Sequence, residues 1–142
     1  MQVRKATIKR EAQLLDPVAN YARRKGFSVQ VPELPFFEYR IDLFGLSKPT
    51  GDTIAVELKI KNWRRALQQA LIYQLCSDFV FIALPEGKAG VVNTAELAKH
   101  GIGLIVVTWD LRCRTELAAA RSSEVRDHYR QEFAELLVSV RL

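Results

Sequence analysis

Two kinds of periodicity divide the chain into helices and strands. Apolar residues recur every three or four positions over residues 8–25 and 63–76, which predicts amphipathic helices. Around these helices lie short apolar runs and stretches of strict alternation, which are typical of strands. The predicted strands are residues 27–31, 36–44, 54–60, 78–84 and 103–108.

The first predicted helix contains a proline. It either starts at Asp16 with Pro17 in its first turn, or starts near Lys9 and bends at Pro17. We favour the bent helix because Leu14 and Leu15 continue its apolar stripe upstream of the proline.

Asparagine residues mark the start of two later helices. Asn62 is a good N-cap for residues 63–76. Asn93 or Thr94 begins a short helix that ends near Gly101, since glycine is common just beyond a helix C-terminus.

The C-terminal part of the chain, about residues 114–140, is predicted to be a helical extension. No strand signal follows Asp110, whereas residues 116–138 favour a helix with an apolar stripe from Val125 to Leu137. The stripe is covered either by docking on the domain or by pairing with a second subunit. The sequence leaves both open, so a homodimer is one expectation.

The order of elements predicts the fold class. A helix, three strands, a helix and a strand, then a further helix and strand, indicate an α/β domain with a mixed central sheet flanked by helices. Pro49 and Gly51 predict a hairpin loop that makes the second and third strands antiparallel. The chain has 142 residues and no linker or repeat, so we expect a single domain with its core at about residues 9–108.

Composition is typical of a folded globular protein, with 49% hydrophobic and 26% charged residues. No apolar run approaches the ~18 residues of a membrane span, and no apolar signal segment follows the first residues. We therefore expect a cytoplasmic protein without membrane contact.

The net charge of +5 is concentrated in the first 30 residues, which hold seven Lys or Arg and two acids. Basic residues such as Arg4, Lys5, Arg23 and Arg24 favour contact with phosphate groups. A solvated basic helix would have the same composition.

Glu57 and Lys59 interrupt the apolar strand at residues 54–60. They alternate with Val56 and Leu58, so both project from one face of a strand that the pattern predicts to be buried. A buried charge without a partner costs several kcal/mol, so a function is expected at this point. The alternative is a structural salt bridge between Glu57 and Lys59.

Asp42, on the preceding strand, is the expected partner of this pair. Two carboxylates that converge repel each other unless they share a proton or a cation. Oxygen ligands without nearby His or Cys suit Mg²⁺, with Mn²⁺ as a substitute. Lys59, on the same face as Glu57, is suited to hold the water that attacks a phosphorus centre.

Three basic residues, Lys61, Arg64 and Arg65, follow this strand directly. They are candidate contacts to the phosphates of a nucleic acid. A solvated helix start explains them equally well.

The spacing of the acidic residues is similar to that of a known family. Asp42, fourteen intervening residues and then Glu57-Leu58-Lys59 resemble the catalytic signature of the PD-(D/E)XK nuclease superfamily, which has the restriction-endonuclease-like fold and includes archaeal Holliday junction resolvases. The resemblance covers about residues 9–108. The residue before Asp42 is isoleucine, where the signature has proline.

The resemblance implies a role for each matching residue. It implies metal ligation by Asp42, Glu57 and the Leu58 carbonyl, and positioning of the attacking water by Lys59. Two further residues would assist: Gln69 as a helper, and Glu11 on the first helix through a water or a second metal. Gln69 and Tyr73 form a QxxxY arrangement on the helix that follows, and Tyr73 is grouped with the nucleic-acid contacts.

These features predict a Mg²⁺-dependent nuclease that hydrolyses DNA phosphodiester bonds. One alternative is a module that keeps the fold and binds nucleic acid or protein without cleavage. Another is a toxin or mobile-element component whose C-terminal helix docks a partner. The sequence does not distinguish duplex, junction, flap and single-stranded substrates.

Overall fold

A six-stranded mixed sheet, with its strands in sequence order, forms the centre of the protein in a computed structural model that describes residues 8–140. The β3, β4 and β5 strands are parallel, and the other neighbouring pairs are antiparallel. The prediction of a mixed sheet flanked by helices is thereby confirmed. The strands are β1 (Val29–Phe36), β2 (Tyr39–Leu46), β3 (Thr53–Leu58), β4 (Phe79–Pro85), β5 (Gly103–Val107) and β6 (Cys113–Leu117).

Helices cover both faces of this sheet. After a 3₁₀ turn (Glu11–Leu14), the helices are α1 (Leu15–Arg24), α2 (Trp63–Tyr73), α3 (Glu86–Ala89), α4 (Thr94–His100) and α5 (Asp127–Val140). The ends of α2 and α4 lie within three residues of the predicted ones, and the predicted caps Asn62 and Asn93 both accept a hydrogen bond from a backbone N–H in the first turn of their helix.

Two hydrophobic clusters lie on opposite sides of the sheet. One contains Phe44 of β2 with residues of α2 and α5, and the other joins Leu14 and Val18 to Val56 of β3. Every residue of β3 is buried because the strand is covered on both faces. A charged residue on β3 is therefore in a protein interior.

The structure accommodates Pro17 in a way that differs from both predicted alternatives. The 3₁₀ turn leads into α1, and Pro17 is the third residue of α1. Its missing N–H falls in the first turn, where no intrahelical partner exists, so the helix does not need to break. The favoured bent helix is thus replaced by a 3₁₀ turn followed by a regular helix.

The first strand continues through two prolines beyond its predicted end at Val31. It runs over Val29–Phe36 and includes Pro32 and Pro35. An edge strand tolerates proline because one side of its backbone has no neighbouring strand to hydrogen-bond. The following strand accordingly begins later than predicted, at Tyr39.

The prediction of a helix over residues 114–126 is wrong. Cys113–Leu117 is β6, which pairs with β5, and the chain stays irregular until α5 begins at Asp127. Backbone pairing with the open edge of β5 outweighs the weak helix propensity of this segment. Backbone bonds from Ser122 N to Asp78 O (2.7 Å) and from Arg126 N to Leu75 O (2.9 Å) then hold the irregular part against the domain.

The C-terminal helix docks on its own chain. Phe133 and Leu137 are buried, and the Phe133 ring packs edge-on against Phe44 with ring centres 5.1 Å apart. Most of the apolar stripe that suggested a homodimer is therefore covered within the protein, with Leu136 left 38% exposed, and the stripe no longer supports a homodimer.

A buried ion pair fixes this helix to the start of β4. Asp78 is 2% exposed, and it accepts hydrogen bonds from Arg130 (2.6 Å) and from the backbone N–H of Thr53 (2.9 Å). Burial alone would raise the pKa of Asp78, but these bonds outweigh it and the pKa is lowered.

Three further features concern the cysteines, membrane-spanning helices and the basic N-terminal residues. Cys76 and Cys113 are both free thiols. Across residues 8–140, no helix is both long and apolar enough to cross a membrane. The basic residues Arg4 and Lys5 lie outside the described residues.

Candidate active site

The candidate site lies where β3 ends. Leu43 of β2 pairs with Val56 of β3, so extending this antiparallel register by one residue sets Asp42 opposite Glu57. Asp42 Oδ2 accepts a hydrogen bond of 2.8 Å from the backbone N–H of Leu58. The strand hairpin therefore brings the two carboxyl groups together, and the backbone fixes one of them.

The two carboxyl groups hold their protons more tightly than usual. Burial is the main cause for Glu57, the neighbouring charge of Asp42 adds to it, and the pKa rises to about 7. Burial likewise raises the pKa of Asp42, against the opposing effects of the Leu58 N–H and a hydrogen bond with Glu57. At neutral pH the pair carries less negative charge than two free carboxylates.

Lys59 extends from this pair toward solvent. Its backbone N–H continues the β3–β4 pairing to the Ala83 carbonyl (3.0 Å), and its Nζ lies 3.4 Å from Glu57 Oε2 and 3.9 Å from Glu11 Oε1. The exposed fraction of the side chain rises from 4% for Glu57 to 16% for Lys59 and 48% for Glu11. The three charged groups thus run from the core to the surface.

The 3₁₀ turn places Glu11 at the mouth of the site. Gln13 Oε1 accepts hydrogen bonds from the backbone N–H groups of Lys9 (2.7 Å) and Arg10 (2.8 Å), which caps this turn. Leu14 is buried in the cluster under α1 and anchors its other end. Glu11 thus lies beside Lys59, with 3.9 Å between Oε1 and Nζ, and the role that the resemblance implies for it stays a prediction.

Tyr73 is part of the site, although not in the predicted way. Its side chain is fully buried, so the prediction that it contacts nucleic acid is wrong. Its hydroxyl group lies 2.9 Å from Glu57 Oε1 and 3.1 Å from the Arg40 carbonyl, and it donates to these oxygens. Tyr73 thus holds Oε1 of Glu57, while the other carboxylate oxygen, Oε2, lies toward Lys59.

Gln69 precedes Tyr73 by one turn of α2, so the two share a helix face. Its Oε1 atom is buried and accepts no hydrogen bond from any described residue. A buried amide oxygen without a donor is costly, of the order of 1–3 kcal/mol, so this atom is suited to accept from a ligand or to coordinate a cation. The Asn62 cap, with φ at 61°, turns the chain so that α2 packs over the sheet.

The predicted phosphate contacts Lys61, Arg64 and Arg65 are all exposed at the bend and first turn that follow the site. Arg64 lies 3.5 Å from Glu96 and stacks over the Trp63 ring. None of the three is engaged in the core, so their role in binding stays a prediction.

The oxygen atoms of the site suit a divalent cation, although few side chains supply them. Within residues 8–140, no group of three or more His, Cys, Asp and Glu side chains is arranged to hold a metal ion. The pair Asp42 and Glu57 offers carboxylate oxygens, and because burial raises the pKa of both groups, a cation would favour their ionised forms. Gln69 offers an unpaired oxygen on the helix that carries Tyr73. These are the hard oxygen ligands that Mg²⁺ and Mn²⁺ prefer.

Sequence reasoning missed two features of this region. The hydrogen bond from Tyr73 to Glu57 depends on the packing of α2 against β3, for which the only signal was the shared helix face of Gln69 and Tyr73. The buried Asp78 was read only as the start of a strand, and the acid directly before an apolar run was the available signal.

Comparisons with known proteins establish the fold but no function. No protein-family model matches the sequence, and no curated protein is significantly similar to it. Among solved structures, the chain is similar to the SPO1766 protein of unknown function from Silicibacter pomeroyi, with a TM-score of 0.70 and 22% identity over 94% of this chain and 87% of that one. It also aligns with SfsA of Pyrococcus furiosus in complex with Ca²⁺, with a TM-score of 0.42 and 12% identity over 78% of this chain and 63% of that one. The first similarity supports the six-stranded α/β arrangement.

Proposed function

We propose that the protein is a divalent-cation-dependent nuclease that hydrolyses DNA phosphodiester bonds, on a sheet arranged as in restriction-endonuclease-like enzymes. The observation that carries the proposal is the pair of adjacent carboxyl groups, buried for Glu57 and half-buried for Asp42, with the Lys59 ammonium 3.4 Å from Glu57. A structural ion pair would need only one acid for one base. The second acid is better explained by a cation.

In this proposal Asp42, Glu57 and the Leu58 carbonyl hold Mg²⁺, and Mn²⁺ can replace it. When bound, the cation supplies charge neutralisation at the phosphate and lowers the pKa of a coordinated water. Tyr73 keeps Glu57 in one orientation by its hydrogen bond to Oε1. The Leu58 N–H does the same for Asp42 through Oδ2. Both acids are thus held in place before substrate arrives, which avoids reorganisation during the reaction.

Lys59 completes the reactive group of residues. Its Nζ is close to Glu57 and Glu11 yet remains partly exposed, so it can donate hydrogen bonds to an attacking water or to a phosphate oxygen. Its positive charge also balances the negative charge that develops on the phosphate. Glu11, at the mouth, can accept a proton from a water held by Lys59.

A polyanionic substrate agrees with the charge around the site. The net charge is +5, and Lys61, Arg64 and Arg65 stand directly after the catalytic strand. Exposed cations at this position contact phosphates without reading base identity. The proposal therefore specifies the bond that is cut and no base sequence.

The test is cleavage of a panel of DNA substrates, namely supercoiled plasmid, single-stranded circle, flap and four-way junction, with Mg²⁺ and with EDTA. Lys59→Ala is expected to lower the Mg²⁺-dependent rate about 100-fold, the usual scale for losing a group that positions a proton or stabilises charge. Lys48→Ala, which changes the net charge equally on the exposed loop between β2 and β3, is expected to lower it less than threefold.

Two results would count against the nuclease. Equal activity of wild type and Lys59→Ala would show that the cleavage arises elsewhere, for example from a contaminant. Salt-sensitive DNA binding without Mg²⁺-dependent products on any substrate would favour the alternative of a module that binds without cutting.

A further inference from the structure

A groove lies between α1 and the chain that leads into β6. Its wider part has a volume of about 610 Å³ and is lined on one side by the α1 residues Pro17, Tyr21 and Arg24, and on the other by Arg112 and Cys113. The three α1 residues are spaced by three or four positions, so they form one stripe of the helix. The predicted apolar stripe of α1 faces the sheet, and this second stripe faces the groove.

The wider part of the groove is basic. Arg24, Lys25 and Arg112 line it, and all three are exposed. Arg112 lies 3.4 Å from Asp110, whereas Arg24 and Lys25 form no ion pair with any residue of the described part of the chain. Positive charge therefore exceeds negative charge along this wall, as in a site for an anionic chain.

The narrower part of the groove is apolar. It has a volume of about 300 Å³ and is lined by Phe27, Phe79 and Phe81 together with small residues such as Ala118 and Ala119. Tyr21 and Lys25 line both parts, which adjoin at the hydrogen bond of 2.6 Å between the Tyr21 and Thr115 hydroxyl groups. A Cβ atom at Gly103 would lie 2.5 Å from the Phe81 ring, so the absence of a side chain at Gly103 leaves room for this ring beside the groove.

We propose that this groove binds an unpaired nucleic-acid strand. Arg24, Lys25 and Arg112 contact the phosphates, while the apolar part receives one or more bases against Phe79 and Phe81. Basic residues beside aromatic rings are the combination that binds single strands without sequence preference. Here the Phe79 and Phe81 rings are half-buried, and the Arg121 guanidinium lies 4.8 Å from the centre of the Phe79 ring. A duplex offers the same phosphates, but its bases are stacked inside and do not reach an apolar pocket. The inference rests on the proposed nuclease function and names the class of its substrate.

The groove leads toward the candidate active site. Pro17 lies at one end of it, and the 3₁₀ turn that carries Glu11 ends three residues earlier. At about 1.5–2 Å of rise per residue, Glu11 is about 10 Å from Pro17 along the helix axis. A strand that leaves the groove at Pro17 therefore passes close to Lys59 and the acidic pair.

The first test measures the affinity of a fluorescent 15-nucleotide thymidine strand in EDTA at several salt concentrations. For wild type we expect tighter binding of this strand than of a 15-base-pair duplex. In the double variant Arg24→Gln and Arg112→Gln, affinity should fall at least tenfold near 50 mM salt, and the slope of log K against log salt should fall by about 1.4, or 0.7 for each lost phosphate contact. The variant Lys48→Gln and Lys99→Gln has the same net charge and alters two exposed residues outside the groove, so less than a twofold change is expected.

The second test concerns the apolar part. Ala118 is exposed at its rim, so Ala118→Trp fills the space without removing a core side chain. Wild type should prefer the thymidine strand to an abasic strand of equal length, and Ala118→Trp should abolish that preference. Ala95→Trp, on the exposed surface of α4, should retain it. A ribothymidine strand, which differs from the thymidine strand only by its 2′-hydroxyl groups, assigns the sugar, and binding of either sugar supports the proposed site.

These tests separate the groove from the nuclease. Equal affinity for duplex and single strand, or equal losses of affinity in the groove and control variants, would contradict the proposed binding site even if the protein cuts DNA. Selective single-strand binding lost in the groove variants would support the groove even if no cation induces cleavage.

Discussion

Glu57→Gln is expected to abolish DNA cleavage and, in the absence of divalent cations, to stabilise the fold above pH 7. The loss of activity should be at least about 10³-fold, since a cation ligand and charge-stabilising group is removed. The gain in stability has a separate cause. Burial and the neighbouring Asp42 make ionised Glu57 unfavourable, and an amide of the same shape carries no charge. Tyr73 can still donate to the amide oxygen.

The sign of the pH dependence follows from the raised pKa. Glu57 binds its proton more tightly in the folded protein, with a pKa of about 7, than in an unfolded chain, where it is 4.5. The contribution of Glu57 to the stability of the wild type is therefore greatest below about pH 4.5 and decreases as the pH rises through about 7. The decrease is at most about 3 kcal/mol, from 1.36 kcal/mol for each pKa unit. Urea unfolding of wild type and Glu57→Gln between pH 4 and pH 9 in EDTA measures it.

The outcome separates a functional site from a structural salt bridge. Glu38→Gln, an exposed acid on the β1–β2 turn, is the control for charge and should leave stability within about 0.5 kcal/mol. If Glu57→Gln instead destabilises the protein at pH 8, Glu57 serves mainly to pair with Lys59. The proposal of a strained acidic pair that awaits a cation would then be wrong.

Arg130→Met is expected to destabilise the protein by about 3 kcal/mol at pH 7 without changing the chemistry at Glu57. It leaves the carboxylate of Asp78 buried without its closest ion-pair partner, a loss that typically costs 3–5 kcal/mol. Arg130 is itself 44% exposed, which places the expected cost at the lower end. Asp78 precedes the first residue of β4, whereas Leu58 pairs with Ala83 near its end, so the two sites are separate.

The pH dependence of this variant has the opposite sign to that of Glu57→Gln. The pKa of Asp78 is lowered in the folded protein, so its contribution is present above about pH 3.8 and is lost in acid. The loss of unfolding free energy in Arg130→Met should therefore be largest near neutral pH and become smaller below pH 4. Arg126→Met, exposed on the segment before α5, is the matched control and should cost less than about 0.5 kcal/mol. A deficit independent of pH would attribute the loss to side-chain packing.

The sequence predicted best what local pattern and hairpin geometry determine. The strand that carries Glu57, the loop before it and the Asn62 cap after it each have a local signal. Together they were sufficient to bring Asp42 and Glu57 together. Strand boundaries were less predictable, since Pro32 and Pro35 end a strand unless that strand is at an edge, and edge position depends on the whole sheet.

Features that depend on tertiary packing could not be predicted. Residues 114–126 have no strong local preference, and β6 forms because β5 presents an open edge to this part of the chain. Tyr73 and Arg130 act through single long-range contacts, with Glu57 and Asp78, that no periodicity encodes. The choice between an intramolecular and an intermolecular partner for α5 likewise depended on the apolar surface that Phe44 leaves beside β2.

The central claim is that Asp42 and Glu57 form a cation site, and anomalous X-ray scattering from crystals soaked in Mn²⁺ tests it most directly. We expect an anomalous peak within bonding distance of a carboxylate oxygen of each residue, and no such peak in crystals of Glu57→Gln soaked in the same way. A wild-type crystal with this surface open to solvent and no peak between the two carboxyl groups at saturating Mn²⁺ would contradict the account.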